Sequence, residues 1–241
     1  MKGWDLFRHS VAMISHNVGA AFRVTGLPYA IILAVTLMFP AVFGVDPDPS
    51  PRLGLLFFPA VLLSVLAFLW LAVQWHRYVL TGEIQQGLVP HWHGKLNLAY
   101  FGRSILLGLL SIPIFLIAFI PAGLLIAAGP SIWVILLSNT LAFGLAGAIV
   151  GRFSPVLPAI AVGHKLSFGD AWRATKGATA PILVMALFLG FLSALPSILI
   201  FVGLGIIAVV ANLTFQWLIT VLSVSVMTTL YGHYVEGREL T

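Results

Sequence analysis

The sequence predicts an all-α, polytopic membrane protein: six transmembrane helices paired as three hairpins, an interfacial helix ahead of them, and both termini in the cytoplasm. Three observations predict it. Four stretches contain no Asp, Glu, Lys or Arg, namely 24–45, 53–76, 104–151 and 177–235, of 22, 24, 48 and 59 residues. A bilayer core takes about 20 apolar residues to cross as a helix, so the first two stretches fit one crossing each and the last two fit two each. The composition is 60% hydrophobic and 8% charged with a mean hydropathy of +1.07, whereas a soluble domain is about a quarter charged. Finally, this threading puts eleven of the twelve Lys and Arg on the side of the termini and leaves only Arg52 opposite, beside Asp46 and Asp48. That asymmetry is the positive-inside pattern of an N-in, C-in protein. The chain reads as one integral membrane domain, 1–241.

Residues 4–22 carry Trp4, Phe7, Val11, Ile14, Val18 and Phe22 on one helical face, with Arg8, His9, Ser15 and His16 largely elsewhere. Such a segment is expected to lie in the cytoplasmic interface. The polar groups here also argue against a cleavable signal peptide. The first span is expected at about 27–45, with Pro28 in its first turn, and Pro47, Pro49 and Pro51 keep the outer loop non-helical. The second span covers about 53–80 and ends in Trp70 to Tyr78, an aromatic and basic belt at headgroup depth. Residues 81–103 form a cytoplasmic loop. The third and fourth spans, about 104–127 and 131–151, turn at Gly129-Pro130.

Residues 152–180 return to the cytoplasm. The apolar piece PAIAV is too short to cross and is expected to dip into the interface or pack under the bundle. Ser167 to Lys176 reads as a short surface helix with Ser167 or Asp170 as its N-cap. The last uncharged run has Pro196 and Gly203–Gly205 as its strongest breakers, which places a turn near 203–210 and the fifth and sixth spans at about 181–202 and 210–234. The inner ends of the second and sixth spans, HRYVLTGE and GHYVEGRE, are alike, as membrane-boundary anchors commonly are.

Chemistry is sparse. No cysteine is present, which removes disulfides, thiolate catalysis and Cys-ligated metals. No P-loop, GxSxG or HExxH signature occurs, so no enzyme and no cofactor is expected. The pI near 9.9 follows from topology and attraction to anionic headgroups, without nucleic acid. His91-Trp92-His93, with His76 near, is an HxH pair lacking a third ligand, and no metal site is expected. Glu83 is expected to pair with a nearby Arg. The intramembrane polar residues Asn139, Asn212 and Gln216 suit either interhelical hydrogen bonds or a substrate path, and Gly144, Gly147 and Gly151 suit close helix packing. Prolines 113, 121 and 196 allow broken helices that line a site.

WHRYVLTGE (75–83) and RFSPVLPAIAVGHKLSFGDAWRATKG (152–177) resemble small, six-helix bacterial inner-membrane proteins without established activity, related to the membrane domain fused to glycerophosphodiester phosphodiesterases. The second segment carries Arg-x-Ser-x-x-x-Pro-Ala and then Ser-x-x-x-Ala-Trp-x-x-Thr-x-Gly. The resemblance implies the topology and no catalytic residue. A cytoplasmic surface of His76, Arg77, Tyr78, Arg103, Arg152, Lys165, Trp172, Arg173 and Lys176 is the candidate contact for anionic headgroups or another integral membrane protein, a second copy included. The expected role is a non-catalytic accessory, scaffold or assembly protein; the alternative is a small transporter or channel for a neutral or lipid-like substrate.

Overall fold

The computed structural model describes residues 2–43, 51–84, 87, 89–129, 131–195 and 206–240, and side chains within that set except 39–43, 51–54 and 206–208. The described residues are helical or irregular, without strands. In order they form α1 (Lys2–Ser15), α2 (Val18–Phe43), α3 (Pro51–Thr81), α4 (Gly94–Ala128), α5 (Ile132–Phe153), α6 (Val156–Ala161), α7 (Phe168–Ala174), α8 (Thr179–Ala194) and α9 (Ile206–Tyr234). Five of them, α2, α3, α4, α5 and α9, are long and apolar enough to cross a membrane, and α8 makes a sixth when joined to α7 across a 101° bend.

Several boundaries differ from the sequence expectation. The segment 4–22 is two helices broken at His16–Asn17, and α2 starts at Val18, so Pro28 stands inside a helix. Pro51 opens α3, where its missing N–H costs nothing. Residues 94–103 are the first turns of α4, not loop. At 35 residues, α4 is about 52 Å long, so it tilts or extends beyond a hydrocarbon layer about 30 Å thick. It is helical through both Pro113 and Pro121. Residues 206–210, within the expected last turn, are helical; Pro196 and 203–205 lie outside the described residues.

α1 does not lie apart from the bundle. It packs on α8 and α9 and buries Gly3, Leu6, Phe7, Ser10 and Ile14. Trp4, Val11, Val18 and Phe22, expected on the same face as Phe7 and Ile14, are exposed. The small side of α1 wins the contact: a methyl on Gly3 would stand 2.6 Å from both Pro181 O and Val184 Cβ. Ser10 Oγ and Thr229 Oγ1 of α9, 2.8 Å apart, complete this seam. Both ends of the chain therefore sit at one end of the bundle, called the terminal end below.

α5 and α8 form the closest helix pair. Added methyls on Gly147 and Gly151 would meet Ala186 at 2.9 Å and Ile182 at 2.8 Å, and Gly144 touches Leu187. From the other side, a methyl on Gly190 would meet Thr140 O and Phe143 Cβ at 3.0 Å. The register is antiparallel, each four-residue step along α5 matching one back along α8. Such small-residue faces let backbones approach where lipid supplies no hydrophobic drive for association.

Packing is uneven along the bundle. In α3 the buried side chains fall at Ala67, Leu69 and Leu71 to His76, whereas 55–66 carry none. In α9 described burial begins at Trp217. α6 is the plug of the packed half: Val156, Leu157, Pro158, Ala159 and Ala161 are all buried, against α3, α4 and α9. The apolar piece thus packs within the bundle floor.

Candidate functional site

The terminal end holds two groups of polar residues with opposite orientations. The first faces inward. Trp75 Nε1 donates to Ser225 Oγ at 2.8 Å, and Ser225 Oγ donates to Val221 O. One residue on, His76 is fully buried between Thr228 Oγ1 at 2.8 Å and the Tyr100 hydroxyl at 3.2 Å. Thr228 Oγ1 gives its own proton to Val224 O, which assigns the His76 proton to Nδ1 and leaves Nε2 to accept from Tyr100. The same device joins α9 to α2, where Trp217 Nε1 donates to Thr25 Oγ1 at 3.0 Å and Thr25 Oγ1 donates to Ala21 O. Each chain of donors ends on a helix carbonyl, so these groups hold helices together and offer no open acid or base.

Arg77 and Tyr78 are also engaged internally. Arg77 Nε donates to Glu83 at 2.6 Å and its Nη1 to Ala161 O at 3.1 Å, fastening the end of α6 to α3. His93 Nε2 meets the other Glu83 oxygen at 2.9 Å, and Tyr78 donates to Asn17 at 3.0 Å. Burial raises the Glu83 carboxyl, but its Arg77 hydrogen bond, the Arg77 charge and His93 outweigh that and hold it below the usual carboxylate range. Burial, against the opposing pull of Glu83, lowers the His93 imidazole from its ordinary value. His76, Arg77 and Tyr78 therefore do not form an outward surface with the other candidates: their partners lie on α4, α6, α9, the break between α1 and α2, and the loop after α3.

The second group lies toward the surface on one flank: Lys165, Trp172, Arg173 and Lys176 in and around α7 are exposed, Arg103 on α4 is half-buried, and Arg152 at the end of α5 is buried beneath Trp172. Arg152 Cζ stands 3.4 Å from the Trp172 ring centre; its Nε donates to Thr175 Oγ1 at 3.3 Å and its Nη2 to Trp172 O at 2.9 Å. Phe153 stacks on Trp172 at 4.7 Å and meets Phe168 edge-on at 6.2 Å. Arg103 covers the Phe168 ring at 5.2 Å. The result is an aromatic stack capped by a guanidinium at each end, an arrangement worth about 0.5–2 kcal/mol per cation. α7 itself is fixed by a reciprocal Ser167–Asp170 capping box. Its hydrogen bonds to Ser167 and Arg173 hold the exposed Asp170 carboxyl below its ordinary value. Among the described residues, Asp170 is the carboxylate paired with this flank, through Arg173, and Lys165, Arg173 and Lys176 are exposed.

The intramembrane candidates do not converge. Asn139 Nδ2 donates to Ile135 O of its own helix at 3.0 Å. Asn212 Oδ1 is buried without a partner, and Gln216 is exposed. Gly144, Gly147 and Gly151 form the α8 seam. Asn97 was not singled out from the sequence; it is 2% exposed on α4, and both polar atoms of its side chain lack partners. His91 and His93 rings lie 4.7 Å apart, and no three His, Cys, Asp or Glu among the described residues are arranged to hold a metal. No family model, curated protein or solved structure matches the chain.

Proposed function

We propose that the protein is a non-catalytic accessory, scaffold or assembly component of a bacterial inner membrane, threaded six times with both termini in the cytoplasm. Its occupants are anionic lipids at the α7 flank and another integral membrane protein, or a second copy, along the helices of its open half. The motif resemblance to small six-helix inner-membrane proteins supports the same reading. One observation carries it: from Leu55 to Leu62, α3 buries no side chain, with Leu55, Phe58 and Leu62 prominently exposed. In a membrane such a face meets either acyl chains or another helix, and on this reading it meets another helix. The flank at α7 supplies the complementary half of the role, since clustered Lys and Arg beside aromatic rings suit anionic headgroups.

The test is extraction in a lipid-preserving polymer followed by native mass spectrometry, with photo-crosslinkers at Leu62 and Ile117. The expected result is a species heavier than the 25.9 kDa chain, with crosslinks to a protein. A lone chain with crosslinks only to lipid overturns the reading.

A second reading, transport of a neutral or lipid-like substrate, draws on a cavity of about 220 Å³ between α5, α8 and α9, lined by Met185 and Met227 with Ser154, Ser193 and Ser223 along it. Each hydroxyl gives its proton to a carbonyl of its own helix, leaving an oxygen to accept. Flux in reconstituted vesicles that stops on Met227→Trp supports transport; flux unaltered by that change removes it.

A further inference from the structure

A groove of about 610 Å³ runs between α2, α3 and the segment Val89–Trp92 that leads into α4. Its wall is apolar, built from Ile31, Leu63, Leu66 and Ala67. Its terminal end is different in kind. Here Trp70 and Trp92 meet edge to face at 5.9 Å, with His91 beside them. Gln74 Nε2 donates to the His91 carbonyl, and the Arg77–Glu83–His93 cluster anchors the segment on both sides. The wall from Leu63 to Trp70 spans about 10 Å of helix, which lies along an acyl chain rather than across it.

We infer that this groove is a binding site for one anionic phospholipid of the leaflet at the terminal end, with an acyl chain along Leu63, Leu66 and Ile31 and the phosphate at the His91–Lys95 mouth. This inference uses the membrane placement of the preceding reading but not its protein partner. Charge and polarity both select the occupant. No carboxylate lines the groove among the described residues. Lys95 is exposed in the first turn of α4, three residues past the groove-lining Trp92, and Arg23 is exposed on α2 about two turns ahead of the groove-lining Ile31. Water is a poor filler for an apolar space, since it needs two to four polar partners. Trp92 and Trp70 stand where indole rings favour the boundary between chain and headgroup. Trp70 Nε1 is buried without a hydrogen-bond partner in the protein, at the end of the groove where a lipid's ester oxygens would lie.

The site is tested by titrating phosphatidylglycerol into detergent-purified full chain and counting retained lipids by native mass spectrometry. One lipid per chain is expected, lost in Leu66→Trp, which fills the wall, and kept in Leu109→Trp, an exposed position on α4 that does not line the groove. Lys95→Gln is expected to weaken retention about fivefold, the worth of one basic residue at a membrane surface. Leu63→Trp serves as the second wall variant if Leu66→Trp lowers the melting temperature. Equal retention by wild type and both wall variants overturns the site, as does phosphatidylcholine retained as firmly as phosphatidylglycerol. A photo-crosslinker at Leu66 that captures a protein helix instead of lipid also overturns it. Loss of the lipid site leaves the crosslinks at Leu62 and Ile117 untouched, so the two readings fail separately.

Discussion

His76 takes the Tyr100 hydroxyl proton at Nε2 and gives its own Nδ1 proton to Thr228, so a neutral imidazole ties three helices without a charge to desolvate. Replacing it by Phe is expected to destabilise the protein by about 1–3 kcal/mol, because the Tyr100 hydroxyl is left buried and unpaired. Tyr100→Phe combined with His76→Phe is expected to cost less than the two separately, and the unfolding of all three variants in mixed micelles measures that coupling. The Glu83 and His93 pair is a different case. Both titrate below their ordinary values when folded, so the released state takes up protons first as the pH falls. The stability they contribute is present above about pH 6.5, the ordinary value for His, and declines as the medium is acidified through the His range and then the Glu range. Amide exchange of residues 89–97 is expected to quicken on going from pH 7.5 to pH 5 beyond its intrinsic trend, and His93→Gln, which removes the group that titrates in this range, is expected to abolish that excess.

Helix packing separates glycines that matter from those that do not. Gly147→Val places branched carbon where a single methyl already stands 2.9 Å from Ala186, and a loss of about 1–3 kcal/mol is expected from the overpacked α5–α8 seam. Gly108 lies inside α4 with nothing near its missing side chain. Gly108→Ala is therefore expected to stabilise by about 0.5–1 kcal/mol, and thermal unfolding of the two variants checks the contrast. The charge-free stretches located the apolar part of each span but not where each helix begins. Arg23 lies inside α2 and Arg103 inside α4, since a charge ends an apolar run without ending a helix that has reached the interface. The turn from Pro155 into α6 was equally hidden, because a six-residue apolar piece looks the same whether it lies on a membrane or beneath a bundle. The site was half legible: Arg103, Arg152 and the α7 residues gather on one flank, but the inward turn of His76 depends on Thr228, 152 residues further along the chain, and no local pattern carries that pairing.

For the molecule as a whole, the contrast between a packed terminal half and an open opposite half decides what each region tolerates. Substitutions at Leu55 or Phe58 are expected to leave the unfolding free energy within about 0.5 kcal/mol of wild type, as for surface positions generally, while altering what copurifies. Threading is directly testable because the native chain has no cysteine. Cysteines placed singly at Lys2, Lys165 and Glu239 are expected to react with an impermeant maleimide only from the cytoplasmic side, and one at Asp48 only from the other; the reverse pattern overturns the orientation. The position of α9 has a further consequence. Its Ser225, Thr228 and Thr229 supply the partners for Trp75, His76 and Ser10, yet it is synthesised after both of the helices that carry them. Until α9 is made, the Trp75 and His76 donors of α3 have no acceptor, and α1 cannot take its seat until α8 and α9 have been inserted. Assembly is therefore completed from the C-terminal end backward, and a nascent chain arrested before residue 217 is the form in which protease and chaperone would meet an unsealed bundle.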